Sequence, residues 1–456
     1  MTAQTRVPLG FRSPMPPPAG VGAGSGFRGA AGTGGGAVAG AGPGGWRTMM
    51  TTLAVALLCV AAFQASTANA WLTVLQASAG AILLRCRLPR PRLPDVLAVA
   101  VAAWAQLTVL WSSDVAQTRS VAFAYTSAAL LFVAVRHVAT TPWHLLAVGG
   151  SYIVGCAIAA WRLIIEARGV GGSTGAMDMA VRFGIEGTNI NFTAYSSVTA
   201  FVLALGLLKI RGQRRLVTIA LTTALPVLAS GIFLNRTKGA LVALLLVVAY
   251  ALLSELNPRV TWVAAVAVVP TLLVTVPLGL GQSVLVWADD VIGSAATGDV
   301  LSRIELWRYA SSYWWDSLWV GGGAGTFELW NPLGIRAHNA VLAVAVDLGL
   351  VGLVGVAVLF GAVLARRAAR CPVGLRVAGL FLVGGFPLWL TGVWEFERGS
   401  WLALALLSML PVHASGRQKA DDPGRRATGP PGPVRARATA PPARPTALDW
   451  GAPITR

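Results

Sequence analysis

Charged residues are scarce in this chain, and acidic residues are the scarcest. Asp and Glu number 18 against 36 Lys and Arg, and charged residues make up 12% of the 456. Soluble domains carry about 25% charged residues, so the composition excludes an ordinary cytosolic enzyme and a nucleic-acid-binding domain. A net charge of +18 would suit nucleic acid as a partner, but the positions of the basic residues indicate another origin.

Cysteine is scarce too, with four residues in the whole chain. None belongs to a CxxC pair or stands at metal-ligand spacing from a histidine, which excludes a secreted disulfide scaffold. The long connections contain no clear cluster of histidine and carboxylate ligands. We therefore expect no metal and no cofactor, with Asp289-Asp290 as the weaker alternative of a metal site.

Apolar residues, by contrast, make up 55% of the chain, and the mean hydropathy is +0.65. About twelve apolar runs reach near-spanning length. They lie at approximately 48–65, 68–84, 95–111, 120–135, 143–165, 192–208, 216–234, 238–254, 260–280, 338–364, 374–392 and 399–413. Lipid offers the backbone no hydrogen-bond partner, so each run is predicted to be a helix. The predicted fold is all-α: a polytopic integral membrane helical bundle of about 12 transmembrane helices.

Two low-complexity segments flank the apolar part of the chain. Residues 1–46 are rich in Gly and Pro, and residues 414–456 combine Pro pairs with eight basic residues. Neither segment can bury enough apolar surface to offset the entropy lost on ordering, so both are predicted to be disordered. The predicted organisation is a tail (1–46), a membrane domain (47–413) and a basic tail (414–456).

The basic residues predict an orientation. With the N-terminus inside, 26 of them fall in the inner connections and tails and nine in the outer connections. Basic residues favour the cytoplasmic side of a membrane. We therefore predict a multi-pass protein of the cytoplasmic membrane with both termini in the cytoplasm. The positive charge is then a topology signal, reinforced by anionic membrane lipids.

Two long connections fall on the predicted outer side, at about 166–191 and 281–337, and nine of the 18 acidic residues lie in them. Long ordered loops usually carry function. In the second, Arg303, Trp307, Ala310 and Trp314 recur on one face of a predicted interfacial helix. The tryptophans are typical of an aromatic belt at the lipid headgroups, or of a platform for sugar rings with Arg303 facing an anionic group.

Four glycines follow this predicted helix, at positions 321, 322, 323 and 325. No βαβ unit surrounds them and no Lys-Ser/Thr pair follows, so they do not form a phosphate-binding loop. We predict a turn in which the backbone approaches other backbone or a ligand closely.

The most specific pattern is His338-Asn339-Ala340-Val341-Leu342, with Gly349 after six further residues. This HNxxLxxxxxxG pattern resembles the signature of the O-antigen ligase and polymerase family of bacterial polytopic membrane proteins. Asn235-Arg236-Thr237 joins two spans where the family usually has a Ser-Arg step, and Asn189-Ile190-Asn191 opens another span. Arg303 with Trp307 ahead of the glycine turn agrees as well. The layout of residues 48–413 is similar to the family's.

The resemblance implies a membrane glycosyltransferase of inverting type. It would move or polymerise a glycan from an undecaprenyl-diphosphate donor onto an acceptor hydroxyl at the outer face of the cytoplasmic membrane, without nucleotide or metal. The implied partners are the lipid-linked donor, membrane lipids and a glycan, lipid or protein acceptor, and no nucleic acid. Whether the enzyme is a ligase or a polymerase stays open, because the two differ in the acceptor.

The residue types suit this chemistry. Transfer requires a proton acceptor near the nucleophile and cations near the leaving diphosphate. His338 opens a helix whose N-terminal dipole disfavours protonation, which suits a catalytic base. Arg236 and Arg303 suit the diphosphate because a guanidinium binds phosphate oxygens bidentately. The additional predicted contacts are Lys238 and Arg336 for the diphosphate and Trp307, Trp314 and Asn339 for the glycan.

Two other charged features leave alternatives open. Asp347 lies nine residues into the helix after His338 and is either a functional carboxylate or a helix–helix partner of a polar group such as Arg162. Glu395, Glu397 and Arg398 occupy the last outer turn. We interpret them first as a solvated turn, with shaping of the acceptor side as the alternative.

The competing functional class is a secondary transporter or lipid-linked glycan flippase, with an inactive envelope scaffold as a third possibility. Transporters place polar groups and broken helices near the bilayer midplane, often in an internal repeat. The sequence has no clear repeat, and its polar residues concentrate in the outer connections. This distribution favours the transferase.

Overall fold

The computed structural model describes residues 43–66, 70–85, 90–174, 190–210, 213–275, 297–368 and 371–415. Asp289-Asp290 lies outside these residues. So do the two predicted tails, except for residues 43–46 at the start of the first helix and 414–415 at the end of the last. The chain divides into two compact units, Met1–Trp46 and Arg47–Arg456. Of the first unit only residues 43–46 are described, as the start of a helix, and all contacts below belong to the second.

The described residues form helices and turns and contain no strand. We number fourteen α-helices in chain order, and a 3₁₀ helix, Thr108–Leu110, follows the third. They are α1 Pro43–Ala65, α2 Trp71–Leu84, α3 Leu93–Leu107, α4 Val115–Val138, α5 Pro142–Thr174, α6 Ile190–Leu207, α7 Arg215–Asn235, α8 Lys238–Leu256, α9 Pro258–Thr275, α10 Thr297–Asp316, α11 Phe327–Trp330, α12 Ala340–Ala368, α13 Pro372–Thr391 and α14 Arg398–Ser415.

Each predicted apolar run coincides with one of these helices, so the all-α fold is confirmed over the described residues. Nine of the described helices are long and apolar enough to cross a membrane, and α2, α6 and α14 are shorter apolar helices. The nine are α1, α3 with its 3₁₀ turn, α4, α5, α7, α8, α9, α12 and α13. The chain is thus a polytopic helical membrane protein, and the count of twelve spans stays a prediction.

The helices differ in how far the protein encloses them. In α4 and α13, 78% of the apolar window is buried inside the bundle, against 22% in α7 and 17% in α9. Large apolar side chains therefore remain on the outside of the less enclosed helices, where lipid is the natural solvent for them. Small residues allow close helix contacts, since a Cβ on Gly231 of α7 would lie 2.5 Å from that of Ala160 in α5.

A buried charged cluster ties α3, α4 and α14 together at the predicted inner end, and we call it the inner network. Asp95 accepts a hydrogen bond from Arg136 Nε at 2.5 Å and from the Arg92 backbone at 2.8 Å. Its second oxygen lies 3.4 Å from His137 Nε2, and Arg136 also donates to Ser408 Oγ. Asp95, Arg136 and His137 are buried. The hydrogen bonds of this cluster join three helices and leave its carboxylate fully engaged.

Helix α12 is interrupted at Gly349, whose φ of 68° and ψ of −170° are not helical. The glycine turn after α10 fits against this break so tightly that side chains are excluded. A Cβ on Gly349 would lie 2.3 Å from the carbonyl oxygen of Trp319, and one on Gly321 would lie 2.5 Å from the carbonyl of Asp347. The predicted turn with close backbone approach is confirmed, and what it approaches is the backbone of α12.

Backbone groups on both sides of the break are engaged by other parts of the chain. On one side, Gly322 and Gly323 donate to the carbonyls of Val346 and Asp347 at 2.9 and 3.1 Å. On the other, Leu350 N–H and Val351 N–H bond the carbonyls of Leu318 and Trp319. The Trp104 indole donates to the Leu348 carbonyl at 2.8 Å. A broken membrane helix requires such replacement partners, and the segment after α10 supplies most of them.

Candidate active site

His338 occupies a sharp turn directly before α12. Its backbone is left-handed, with φ of 48°, and its side chain is half-buried. The next residue, Asn339, is fully buried and its Oδ1 accepts the backbone N–H groups of Val341 and Leu342 at 3.0 and 3.1 Å. This is the hydrogen-bond pattern of a helix N-cap. In the HN pair of the motif, His338 thus has a strained backbone directly before the helix, and Asn339 caps the first turn of the helix.

Asn339 has one group left over. Its Nδ2 is buried and makes no hydrogen bond within the described part of the chain. A buried donor without a partner is costly unless a ligand or water satisfies it. The oxygen of Asn339 is used for capping and its side chain is fully buried, so a glycan contact of this residue stays a prediction.

Helix α10 holds the segment that leads into His338. Trp307 is buried, and its indole N–H donates to the carbonyl of Ala337 at 3.0 Å. Leu306 and Ala310 are fully buried beside it, and Arg303, one turn earlier, is half-buried. The predicted stripe therefore faces the protein at Trp307 and Ala310, and Trp307 does not lie in the lipid belt or sugar platform that the sequence suggested. The stripe carries Arg303 along the same side as the indole that supports the residue before His338.

The aromatic residues of α10 divide into two kinds. The Trp307 ring is 4% exposed, so it supports the backbone before His338 and offers little surface to a sugar. Trp314 is half-buried and stacks on Trp315, with ring centroids 5.9 Å apart, and Trp315 is 67% exposed. A stacking surface for sugar rings, if α10 provides one, is the Trp314–Trp315 pair.

The second motif forms a rigid turn between α7 and α8. Arg236 also has a left-handed backbone, with φ of 54°, and is half-buried. Both of its neighbours are buried, and Thr237 Oγ1 bonds the side chain of Asn235 and, at 3.2 Å, that of Asn191. Lys238, the first residue of α8, is exposed. The Asn-Arg-Thr step is therefore fixed through its flanking side chains, and the guanidinium extends from a constrained turn.

Arg236 and His338 share one property. Among the described residues they are the only non-glycine residues with positive φ. Such backbone conformations cost about 1–3 kcal/mol each and persist where the surrounding structure enforces them, often at functional sites. The two residues that the sequence motifs single out are thus the two whose backbone the fold strains.

A segment between α13 and α14, residues 391–397, joins these two turns. Thr391 Oγ1 lies 2.7 Å from the Tyr195 hydroxyl, and a Cβ on Gly239, three residues after Arg236, would be 2.4 Å from it. Trp394 packs edge-on against Tyr195, with centroids 5.5 Å apart, and against Phe192. One end of the segment therefore contacts the elements that carry Arg236.

The other end of the same segment contacts the elements that carry His338. Glu395 lines one cavity together with Ala340 and Val341, the first two residues of α12. The Phe396 ring lies beneath the guanidinium of Arg336, whose Cζ is 5.0 Å from the ring centroid. The 391–397 segment is thus the structural link between the Arg236 turn and the His338 turn.

Arg336 lies among acidic groups. Its Nε bonds Glu328 Oε2 at 3.0 Å. Glu395 and Asp347 act on it electrostatically as well. One edge of the guanidinium is therefore already engaged by a carboxylate. The predicted role of Arg336 as a diphosphate contact would instead require a guanidinium free to bind two phosphate oxygens.

The turn that contains Glu395, Glu397 and Arg398 is not solvated, so the interpretation preferred from the sequence is wrong. Glu395 is 6% exposed and Arg398 1% exposed, with the Arg398 guanidinium 3.9 Å above the Trp71 ring. Burial raises the pKa of the Glu395 carboxyl to about 8, with Asp347 and Glu397 adding to the effect and Arg336 opposing it. Aromatic residues on α2 and in the segment itself cover this turn, which sequence spacing could not indicate.

Asp347 finds its main partner in the glycine turn, and no pairing with Arg162 is needed. Its Oδ2 accepts the backbone N–H of Gly325 at 2.8 Å, while Oδ1 is buried and makes no hydrogen bond within the described ranges. This carboxyl therefore helps to hold residues 321–325 against the break in α12. It also adds a second acidic group near Arg336.

A largely apolar cavity of about 350 Å³ runs alongside these elements. Helices α9, α12 and α13 form its walls, and among the described residues that line it Glu395 is the only charged one. Within the described ranges no group of three or more His, Cys, Asp and Glu residues could hold a metal ion. Asp289-Asp290, the alternative metal site, lies outside those ranges.

The sequence predicts first a solvated turn for Glu395, Glu397 and Arg398, with the acceptor side as the alternative. Its motifs do not identify Thr391, Trp394 or Tyr195. The available signal was the stretch Gly392-Val393-Trp394-Glu395-Phe396-Glu397-Arg398, which places two acids, an arginine and two aromatic residues between apolar spans. Two aromatic residues among three charges are unusual for a short connection, and they were the signal in favour of the acceptor-side alternative.

Comparison with known proteins supplies one match. No curated protein matches this chain. The family model described as O-antigen ligase matches residues 223–357. This range includes every residue that we predicted for the site, from Arg236 to Asn339, and excludes the 391–397 segment. The match confirms the resemblance that the motifs indicated: residues 223–357 of this multi-pass membrane protein are similar to the O-antigen ligase family.

Proposed function

We propose that the protein transfers a glycan from an undecaprenyl-diphosphate donor to an acceptor hydroxyl at the outer face of the cytoplasmic membrane. The observation that carries this proposal is the strained backbone at Arg236 and His338, both inside the O-antigen ligase match. Strain of this kind holds a side chain where an unstrained turn would not place it. A base and a cation, each on a constrained turn, are the minimum that this transfer requires.

His338 is the proposed base. The acceptor oxygen forms a bond to the anomeric carbon, the bond from that carbon to the diphosphate oxygen breaks, and the hydroxyl proton passes to the imidazole. The diphosphate leaves with the bonding electrons. Attack opposite to the leaving group inverts the anomeric configuration. No nucleotide or metal enters the proposed reaction.

Arg236, Arg303 and Lys238 are the proposed cations for the diphosphate. A guanidinium can bind two phosphate oxygens at once, and Arg236 extends from a turn fixed by Asn235 and Thr237. Trp307 has a supporting role in this proposal, because its indole holds the carbonyl of Ala337. The glycan contact that remains in the proposal is Trp314 with its neighbour Trp315.

The orientation of the chain belongs to the same proposal. With both termini in the cytoplasm, the turns at Arg236 and His338 lie on the outer side, where a flipped lipid-linked glycan would be available. The basic connections then face the cytoplasm. Cysteine accessibility in intact cells tests this arrangement independently of catalysis.

A transporter or flippase is the rival function, and the broken helix α12 is the observation that favours it. Transporters use unwound backbone to bind their substrates. In this protein, however, the carbonyls of Val346, Asp347 and Leu348 are all engaged by other parts of the chain. The break thus serves internal packing, which supports the transferase over the transporter.

The deciding experiment uses purified protein in proteoliposomes with a labelled undecaprenyl-diphosphate glycan and an envelope extract as acceptor, with and without a chelator. We expect transfer in both conditions, no transfer by His338→Ala, and transfer by the matched variant His144→Ala, which alters a half-buried histidine at the start of α5. Movement of the intact lipid-linked glycan across the bilayer without glycosyl transfer would support the rival and contradict the proposal.

A further inference from the structure

The described wall of the cavity beside α12 is apolar except for one charged residue. The cavity measures about 350 Å³, and Glu395 lines it near Ala340 and Val341, two and three residues after His338. Ligand cavities are commonly apolar with a few placed polar groups that orient the ligand. Glu395 is therefore in the position of such an orienting group, at the end of the cavity nearest the proposed base.

The Glu395 side chain has hydrogen-bonding capacity that the protein does not use. The residue is 6% exposed, and its Oε2 has no hydrogen-bond partner within the described part of the chain. Its backbone is fixed, since the carbonyl accepts the Trp401 indole N–H at 2.8 Å. A buried carboxyl oxygen left without a partner is costly, so a bound ligand that satisfies it would be favoured.

The charges around Glu395 select the kind of ligand. Asp347 and Glu397 face it together with Arg336, and Arg336 is itself paired with Glu328. The Tyr125 hydroxyl on α4 also lies within electrostatic range. The guanidinium that acts on Glu395 is already bonded to Glu328, so it offers a diphosphate less than a free fork would. A carboxyl group can hydrogen-bond a hydroxyl of a neutral polyhydroxyl compound whether it is protonated or ionised.

We propose that Glu395 binds a hydroxyl of the acceptor, and that Arg336 organises this acceptor side of the site and makes no contact with the diphosphate. The inference rests on the proposed function and divides the site in two. Arg236, Lys238 and Arg303 form the donor side, and Glu395 with Arg336 forms the acceptor side. In this proposal His338 adjoins both sides. It alone takes the proton of the attacking hydroxyl.

The test measures the two substrates separately in the proteoliposome assay. The donor is an undecaprenyl-diphosphate glycan, and the acceptor is an envelope extract of cells that lack the gene, titrated by dilution. We expect Glu395→Ala to raise the apparent acceptor KM about tenfold, the effect of losing one hydrogen bond to a buried charged or polar group, with the donor KM within about twofold. The matched control is Glu255→Ala, an exposed glutamate paired with Lys209 and Arg376, which should change neither KM.

A second variant covers the case in which Glu395→Ala does not fold, which size-exclusion chromatography would reveal. Glu395→Gln keeps the shape and hydrogen-bonding groups of the neutral acid, so its acceptor KM should rise less than about threefold. Burial raises the pKa of the wild-type carboxyl to about 8, so the wild-type group is neutral below that pH and becomes anionic above it. The anion accepts a hydrogen bond from a hydroxyl more strongly than the neutral acid does, so the wild-type acceptor KM should fall above pH 8, while that of Glu395→Gln stays flat.

The outcomes separate this inference from the proposed function. A raised donor KM, a loss confined to kcat, or unchanged constants in a folded Glu395→Ala would overturn the acceptor role of Glu395 alone. Absence of any transfer by the wild type would overturn the proposed function and this inference with it.

Discussion

The two buried charged clusters of this protein differ in how completely their polar atoms are used. In the inner network, both oxygens of Asp95 have partners, and Arg136 bonds both Asp95 and Ser408. In the cluster around Arg336, by contrast, Oε2 of Glu395 and Oδ1 of Asp347 make no hydrogen bond within the described residues. Burial is similar in the two places, so accessibility does not explain the difference.

The comparison indicates which cluster serves stability and which serves function. A network whose atoms are all engaged has nothing to offer a ligand, and breaking it leaves a buried charge uncompensated. A cluster with spare capacity is costly to the empty protein and gains when a ligand binds. The inner network thus joins α3, α4 and α14, and the cluster around Arg336 is where we propose that the acceptor binds.

The largest effect should come from the proposed base. His338→Ala is expected to lower the transfer rate about 10²- to 10⁴-fold, which is the usual contribution of a positioned general base. Because Asn339 still caps α12, the variant should accumulate in the membrane at the wild-type level and keep its thermal midpoint. Radiolabel transfer and a detergent-solubilised melting curve check the two parts. If the variant had both a low transfer rate and a low thermal midpoint, the loss of activity would not support a catalytic role for His338.

The inner network should show the opposite pattern. Asp95→Ala is expected to lower the free energy of unfolding by about 3–5 kcal/mol, because Arg136 loses its buried counter-charge. Transfer per folded molecule should stay near the wild-type value. Denaturant unfolding in detergent micelles measures the loss. The exposed pair Lys209–Glu255 provides the matched control, since Glu255→Ala should cost no more than about 1 kcal/mol. Equal losses in the two variants would contradict the distinction.

The donor side should respond more weakly to conservative changes. Arg236→Lys and Arg303→Lys keep the charge and lose the bidentate fork, so each should raise the donor KM about tenfold and leave the acceptor KM unchanged. Steady-state kinetics with the donor varied at fixed acceptor measures this. Wild-type donor KM values in both variants would argue against bidentate binding of the diphosphate.

The smallest effect should come from a change at Trp307, whose indole bonds the backbone just before His338. Trp307→Phe keeps an aromatic ring in the buried position and removes the hydrogen bond to Ala337, worth about 1 kcal/mol. We expect kcat to fall a few-fold with both KM values unchanged. A raised acceptor KM would instead assign Trp307 the glycan contact that its residue type suggested.

The helices could be predicted from the sequence because lipid imposes helical structure on apolar runs. Apolar runs in lipid must be helical, so each run from residue 48 to residue 413 coincided with a helix. The HNxxLxxxxxxG pattern also marked two structural events, the capped entrance of α12 at Asn339 and its break at Gly349. Local chemistry dictates both, and local chemistry is what a sequence displays.

The burial of Glu395 and the pairing of Asp347 could not be predicted, because both depend on contacts between segments that are distant in sequence. Nothing local to Glu395 indicates that Trp71 covers its turn or that Phe396 lies under Arg336. The pairing of Asp347 with Gly325 likewise depends on a turn that fits a broken helix 22 residues further on. Charge in a short connection therefore suggested solvent, whereas the bundle supplies aromatic cover from α2 and α4.

The central claim is that Arg236, Arg303 and His338 face one bound donor. The most direct measurement is photo-crosslinking with an undecaprenyl-diphosphate analogue whose reactive group sits at the diphosphate, followed by mass spectrometry of the labelled peptides. The account predicts label on the α7–α8 turn, on α10 and on the segment before α12, all lost when unlabelled donor is added in excess. Label confined to one of these, or found mainly at the basic inner connections, would contradict it.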